Sequence, residues 1–106
     1  MRILLDHNVP VPLRHTLRDY RVETTFESGC AELSNGALIL AAERSGFDLL
    51  ITTDKGIVHQ LNWSGPRLFL LVLSTNDWAR IRGARELVIA AVQGLTSSKI
   101  TELEIP

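Results

Sequence analysis

The chain has 106 residues, of which 45% are hydrophobic, and its eleven Lys and Arg residues nearly balance its twelve Asp and Glu residues. This length suits one domain spanning residues 1–106 and makes a second domain improbable. The balanced charge excludes a general electrostatic attraction to nucleic acid, so any such contact has to be local.

Three features of the sequence predict a cytoplasmic protein. The N-terminal apolar run Ile-Leu-Leu meets Asp6 too early to be the hydrophobic region of a signal peptide. No stretch approaches the ~18 consecutive apolar residues of a membrane helix, so no membrane association is expected. Cys30 is the only cysteine, which excludes an intrachain disulfide and fits a reducing compartment.

Short β-branched and apolar runs alternate with longer amphipathic segments along the chain. This alternation predicts an α/β domain with a mainly parallel sheet of four to five strands flanked by helices. The first strand is predicted at residues 2–5 and the second at residues 21–25. Between them, Asn8 followed by Val-Pro favours the cap and opening turn of a helix, on which Leu13 and Leu17 share one face.

The next predicted element is a helix over residues 35–45. Ser34 or Asn35 can cap its start, its interior is rich in Ala, Leu and Ile, and Gly46 suits the left-handed residue after its end. Residues 28–34, which precede it, carry no regular signal and are predicted to be a loop.

A buried strand is predicted at residues 48–53, because Leu-Leu-Ile stands at its centre. This strand delivers Asp54 at its C-terminal end. Residues 55–63 follow as a loop or short helix over the cleft, and residues 67–73 form the next buried strand.

The sequence of the C-terminal third predicts one long helix followed by an edge strand. Thr75, Asn76 or Asp77 can cap the helix, and residues 99–105 form the strand. Five apolar residues lie on or near one side of that helix: Ile81, Leu87, Val88, Ala91 and Leu95.

Asp6 and Asp54 are the candidate catalytic residues. Both follow apolar strands, and ligands of open parallel sheets bind outside the C-terminal strand ends, so we expect the two carboxylates to converge. Converging carboxylates repel each other unless a cation intervenes. Mg²⁺ or Mn²⁺ is therefore predicted as a cofactor, with Asp6 and Asp54 as metal ligands.

Four neighbouring polar residues complete the predicted binding site. Asn8, Asn35 and Thr53 are candidate neutral ligands of the cation or partners of its ligands, and Lys55 could offset the charge of Asp54 or contact a phosphate. Each has an alternative structural role, since both asparagines can cap helices and Lys55 can be an exposed turn residue.

The carboxylates have structural alternatives as well. Asp6 could simply begin a turn, and Asp54, in Thr-Thr-Asp-Lys-Gly, could accept backbone N–H groups in an Asx turn. His7 and Glu43 are expected at the surface. Five arginines could form local phosphate-binding patches, and two tryptophans could stack on bases or pack in the core; they are Arg14, Arg18, Arg80, Arg82, Arg85, Trp63 and Trp78.

Three stretches together resemble the small PIN-like domains of unknown function: ILLDHNVP at residues 3–10, NGALILAAE at 35–43 and LITTD at 50–54. Such domains are similar to the toxin ribonucleases of bacterial toxin–antitoxin pairs, in which acids at strand ends hold Mg²⁺ or Mn²⁺ for RNA cleavage. The resemblance implies a PIN-like three-layer fold. It also implies RNA as substrate and an antitoxin-like protein as partner.

Matched position by position, Asp6 falls on the family's first acid, Asn8 on the Asn two residues later, and Asp54 on the acid after the Thr-rich strand end. Two positions depart from the pattern. Asn35 stands where fully equipped PIN nucleases carry an acid, and His7 stands where many of the small domains have Glu. A further helix-borne Glu has no counterpart here unless Glu32 or Glu43 is recruited, so metal affinity is expected to be weak.

Three functions remain open on this basis. The first is a metal-dependent ribonuclease, toxin-like in character, and the second is a degenerate PIN-like module that binds a protein partner or RNA without cutting. The third is a phospho-receiver, with Asp54 as acceptor; against it, His7 replaces a required acid and Lys99 begins the last strand instead of ending it. The sequence is compatible with a homodimer in each case.

Overall fold

Five short strands rich in Leu and Ile form the centre of the protein. A computed structural model describes residues 1–60, 68–95 and 99–106. The strands are β1 (Arg2–Leu5), β2 (Arg21–Thr24), β3 (Leu49–Thr52), β4 (Phe69–Leu73) and β5 (Ile100–Leu103). The helices are α1 (Leu13–Thr16), α2 (Asn35–Arg44), α3 (Trp78–Gly83) and α4 (Arg85–Gln93), with a 3₁₀ helix at Lys55–Gln60.

All strand pairs are parallel, and the order across the sheet is β2-β1-β3-β4-β5. The predicted α/β class with a parallel sheet and flanking helices is confirmed. The central strands are continuous apolar runs because both of their faces are covered, and every residue of β3 is buried. The ends of two predicted segments, residues 61–63 with Trp63 and residue 67, lie outside the described residues.

Alternate residues of the strands serve two separate cores. Ile3, Leu49 and Leu71 face α1, α3 and α4, whereas Leu4, Leu50 and Leu70 face α2 and the 3₁₀ helix. The period of two along each strand therefore builds a layer on each face of the sheet.

The first helix begins later than predicted. Asn8 does not cap it; α1 starts at Leu13 after Pro12, although Leu13 and Leu17 do share a buried face as expected. The run Val-Pro-Val-Pro explains the delay, because a residue that precedes proline is disfavoured in helical conformation. The side chain of Asn8 is thereby available for another contact.

The predicted long C-terminal helix is divided in two. Asp77 caps α3 by accepting the N–H of Ala79, but Ala84 leaves helical conformation, with φ −110° and ψ 21°, before α4 begins. Gly83 precedes the break, and Gly is among the weakest helix formers. The buried residues keep the three- and four-residue spacing of one helical face across the break: Ile81, Ala84, Val88, Val92 and Leu95. Leu87 does not share that spacing and is 46% exposed, so its predicted place on the apolar side is wrong.

The helix α2 follows its prediction closely. It spans Asn35–Arg44, and Gly46 has φ +83°, the left-handed conformation expected just after a helix end. Ser34 occupies the N-cap position without a side-chain hydrogen bond to the helix. Asn35 is therefore free of a capping role and directs its amide elsewhere.

The connections around the sheet do not all have the same hand. α1 lies on one face as the chain moves from β1 to β2, and α2 lies on the other face as the chain returns to β3, so these connections share a hand. α3 and α4 lie on the same face as α1. Yet the chain moves across the sheet from β4 to β5 in the same direction as it moves from β2 to β3, where α2 lies on the other face. The β4–β5 connection thus has the opposite hand, which is uncommon, and it places α3 beside α1.

Candidate functional site

The site lies where the chain reverses its direction across the sheet. From β1 the chain first moves outward to β2 and then, from β3, progresses to β4 and β5 on the other side. The connections leaving β1 and β3 diverge to opposite faces and leave a crevice at the C-terminal ends of these two strands. Asp6 follows β1 directly, and Asp54 stands two residues after β3. The predicted position of both acids at strand ends is confirmed.

Thr52 joins the two acids. Its side chain is fully buried, its hydroxyl donates to Oδ2 of Asp6 at 2.8 Å, and the same oxygen accepts the backbone N–H of Asp54 at 3.1 Å. A hydroxyl can donate one hydrogen bond while accepting another, so one side chain fixes both partners. The two acids that lie 48 positions apart in sequence are thus held in one hydrogen-bonded chain.

The carboxylate of Asp6 is almost enclosed, with 3% of the residue exposed. Its Oδ1 accepts the backbone N–H of His7 at 2.8 Å and lies 3.0 Å from Nδ1 of the same imidazole. The His7 side chain itself is 70% exposed, so it lies at the rim as one of the sequence interpretations expected. These contacts fix the orientation of the Asp6 carboxylate.

The carboxylate of Asp54 is held by neutral donors. Its Oδ1 accepts the N–H of Gly56 at 2.9 Å, and its Oδ2 accepts an amide N–H of Asn35 at 2.7 Å. The first contact is an Asx turn, so the structural role considered for Asp54 is confirmed. The second contact brings Asn35, from the first residue of α2, into the site.

Gly56 gives this turn room for its close approach to Asp54. A Cβ at position 56 would lie 3.1 Å from Oδ1 of Asp54, which is tighter than ordinary side-chain packing. The half-buried Asp54 carboxylate keeps its position because the backbone beneath it carries no side chain.

Asn8 and Thr53 form the other wall of the crevice. Oδ1 of Asn8 accepts the backbone N–H of Thr53 at 3.3 Å, so Asn8 ties the loop after β1 to the loop after β3. In the part of the chain that the structure describes, the Thr53 hydroxyl makes no hydrogen bond. Lys55 is exposed beside Asp54, and within the described residues it forms no ion pair with it.

Two buried threonines of the site were not singled out in the sequence. Thr52 is one, and Thr25 is the other; Thr25 follows β2, adjoins Asp6 across the sheet and is 1% exposed. The Thr25 hydroxyl oxygen has no hydrogen-bond partner among the described residues. Aligning the apolar centres of the predicted strands would have placed both threonines level with Asp6.

Other acids considered for the site lie elsewhere. Glu32 is exposed and Glu43 is half-buried, and neither forms a hydrogen bond with Asp6 or Asp54 in the described ranges. Lys99 directly precedes β5 and lies over the ring of Phe69 at 4.4 Å. It stands at the end of the strand opposite to Asp54, which argues against the receiver arrangement.

The donors at the crevice suit a hard divalent cation in chemical kind. They are carboxylate, amide and hydroxyl oxygens. The unpartnered Thr25 oxygen is a further buried hydroxyl, at the end of the neighbouring strand β2. Among residues 1–60, 68–95 and 99–106, no group of three His, Cys, Asp or Glu side chains is placed to hold a metal ion. At this crevice the described residues therefore offer two carboxylates, those of Asp6 and Asp54.

Comparison with protein-family models, with curated proteins and with solved structures finds no match to this chain. Within the described ranges, no helix combines the length and the apolar character needed to cross a bilayer.

Proposed function

We propose that this protein is a PIN-like ribonuclease, toxin-like in character, that hydrolyses RNA with the help of one weakly bound Mg²⁺ or Mn²⁺. The observation that carries the proposal is the pair Asp6 and Asp54, joined through Thr52 at the crevice. No Lys or Arg in the described part of the chain forms an ion pair with either carboxylate. Two carboxylates at one crevice without a Lys or Arg partner favour the binding of an external cation.

In this proposal the side chains have distinct tasks. Asp6 and Asp54 would hold the cation, with Asn8 and Asn35 as neutral neighbours, and Thr52 ties the carboxylate of Asp6 to the backbone of Asp54. A bound divalent cation supplies neutralisation of charge on the scissile phosphate and activation of a water molecule. Lys55, exposed at the rim, contacts a phosphate of the RNA. A cytoplasmic location belongs to the same proposal.

A second candidate is a PIN-like module that binds RNA or an antitoxin-like protein without cutting. One observation favours it specifically: all four carboxylate oxygens of Asp6 and Asp54 already take part in hydrogen bonds or close polar contacts within the protein. A carboxylate so occupied resists reorientation toward a cation.

Cleavage of labelled single-stranded RNA tests the proposal. With EDTA, Mg²⁺ or Mn²⁺ in parallel, we expect cleavage only with the cation, and a loss of at least about tenfold in Asp6→Asn and Asp54→Asn. Asp19→Asn is the matched control, because Asp19 is exposed and has no hydrogen bond or ion pair within the described ranges. Circular dichroism verifies that each variant is folded.

The outcomes separate the two candidates. Cleavage that persists unchanged in both site variants would contradict the assignment of the site. Intact RNA in every condition, together with no heat of Mn²⁺ binding at about millimolar concentration, would favour the non-cutting module.

A further inference from the structure

A groove of about 410 Å³ runs between α1 and the pair α3 and α4, on the face of the sheet away from α2. Its walls combine cationic and apolar groups. The side chains that matter here are His15, Arg18, Trp78, Arg82, Arg85 and Ile89. The groove exists because the β4–β5 connection has the unusual hand that brings α3 against α1.

Three arginines of the groove are free of acidic partners. Arg18, Arg82 and Arg85 are exposed, and none of them forms an ion pair within the described residues; Arg85 donates only to the carbonyl of Arg82, at 3.3 Å. Among residues 1–60, 68–95 and 99–106, no acidic side chain lines the groove. A protein of formal net charge −1 thus carries a local concentration of positive charge.

Two other arginines that were candidates for the same phosphate-binding patches have partners within the protein. Arg14 is bound to Glu27 and to the carbonyl of Val22, and Arg80 donates to the carbonyls of the last two residues. Those two stabilise the fold. The remaining three have unused donors that match phosphate oxygens in geometry and charge.

Trp78 gives the groove an apolar surface beside its positively charged arginines. It is partly buried against the core, lines the groove at the start of α3, and stands with Ile89 among the arginines. Positive grooves that also present an aromatic face are typical of single-strand binders, because every base can stack on such a face. An acidic peptide would use the charge and leave the indole unused.

We propose that this groove binds single-stranded RNA, with its phosphates on Arg18, Arg82 and Arg85 and a base against Trp78. The choice of RNA over DNA rests on the proposed function. α1 and α3 begin after the C-terminal ends of β1 and β4, so the end of the groove near Trp78 lies toward the same edge of the sheet as Asp6 and Asp54, on the opposite face from α2.

Binding is measured on the intact chain in EDTA, by fluorescence anisotropy of a labelled oligoadenylate at several salt concentrations. Three phosphate contacts predict a slope of log K against log salt of about −2, which falls to about −0.7 in Arg82→Ala/Arg85→Ala. That variant should bind roughly 10- to 100-fold more weakly at about 50 mM salt. Arg21→Ala/Arg44→Ala is the control, with the same charge change at two exposed arginines outside the groove.

Tryptophan fluorescence tests the stacking contact. In a Trp63→Phe background Trp78 is the sole tryptophan, and its emission should be quenched by the oligonucleotide. Equal weakening by the groove and control variants, an unchanged Trp78 emission, or equally tight binding of duplex RNA or polyglutamate would each overturn the proposal.

This design distinguishes the groove from the cleavage site. Since EDTA removes the cation, binding that depends on the groove but never leads to cleavage in Mn²⁺ would contradict only the ribonuclease. Cleavage with unaltered binding in Arg82→Ala/Arg85→Ala would contradict only the groove.

Discussion

Replacing Thr52 by Val removes the hydroxyl that joins Asp6 to Asp54 while keeping the shape of the side chain. The site is fully buried, so water cannot replace the lost contacts. The change leaves Oδ2 of Asp6 without its donor at 2.8 Å and the N–H of Asp54 without its acceptor at 3.1 Å. The Asp6 carboxylate and the Asp54 N–H remain in the protein, and each lacks a hydrogen bond that it had.

The expected cost follows from these two bonds. A hydrogen bond to a charged group contributes about 1.5–3 kcal/mol and one between neutral groups about 0.5–1.5 kcal/mol. We expect Thr52→Val to lower the free energy of unfolding by roughly 2–4 kcal/mol, which corresponds to a fall in Tm on the order of 10–20 °C for a chain of this size.

Urea unfolding followed by circular dichroism measures this effect, with Thr53→Val as the matched control. The control makes the same substitution at the next residue, whose hydroxyl has no partner in the part of the chain that the structure describes. Its expected cost is below about 0.5 kcal/mol. If both variants unfold at the same urea concentration, the Thr52 hydroxyl does not bridge the acids and the reasoning fails.

Three further substitutions test other parts of the structure. Asn35→Asp places a second carboxylate against Asp54, so we expect a lower Tm in EDTA and a larger rise in Tm on adding Mn²⁺ than in the wild type. Gly46→Ala forces a side chain into φ +83°, and urea unfolding should show a loss of about 1–2 kcal/mol. Arg14 holds the pKa of Glu27 below its ordinary value of 4.5 through a side-chain hydrogen bond. Ionised Glu27 therefore stabilises the fold fully above pH 4.5, and this stabilisation disappears as the pH falls through the lower pKa of the folded state. Glu27→Gln should consequently lower Tm at neutral pH but not in strong acid.

Each of these predictions has a control that the chain itself supplies. Gln93→Glu adds the same charge as Asn35→Asp at an exposed position and should leave the response to Mn²⁺ unchanged. Gly36→Ala meets no atom within 4 Å and should not destabilise the protein. Glu86→Gln, at an exposed residue without an ion pair in the described ranges, should show no dependence of its Tm difference on pH.

The strands and α2 were predictable because their signals are local. A buried strand of a parallel sheet reads as an unbroken apolar run, and β1 and β3 match their predictions within one residue at each end. Gly46 marks the end of α2 for a reason that holds in any context. By contrast, the delay of α1 and the break at Ala84 arise where weak helix signals compete with prolines, Gly83 and the packing of the core.

The site was predictable at its two acids and not at the residues between them. Strand ends locate Asp6 and Asp54, since any strand delivers its next residue to the edge of the sheet. The choice between adjacent threonines depends on the register of β1 against β3, which joins residues 46 positions apart. Thr52 is therefore identified by the pairing of β1 with β3 and not by its local sequence.

On the proposed function, the acidic crevice and the cationic groove give a nearly neutral chain two separate ways to engage RNA. Two carboxylates at the crevice repel a phosphate, and a cation there neutralises charge only as long as it stays bound. In the proposed complex the arginines of the groove hold the rest of the strand without a cation, because they have no acidic partners in the described part of the protein. Binding that is carried by the groove and cleavage that is carried by the crevice should consequently respond to different variables. Salt should weaken RNA binding with the slope of about −2 expected for three phosphate contacts. Mn²⁺ should control RNA cleavage. A preparation in which both respond to Mn²⁺ alone would show that the strand is held at the crevice.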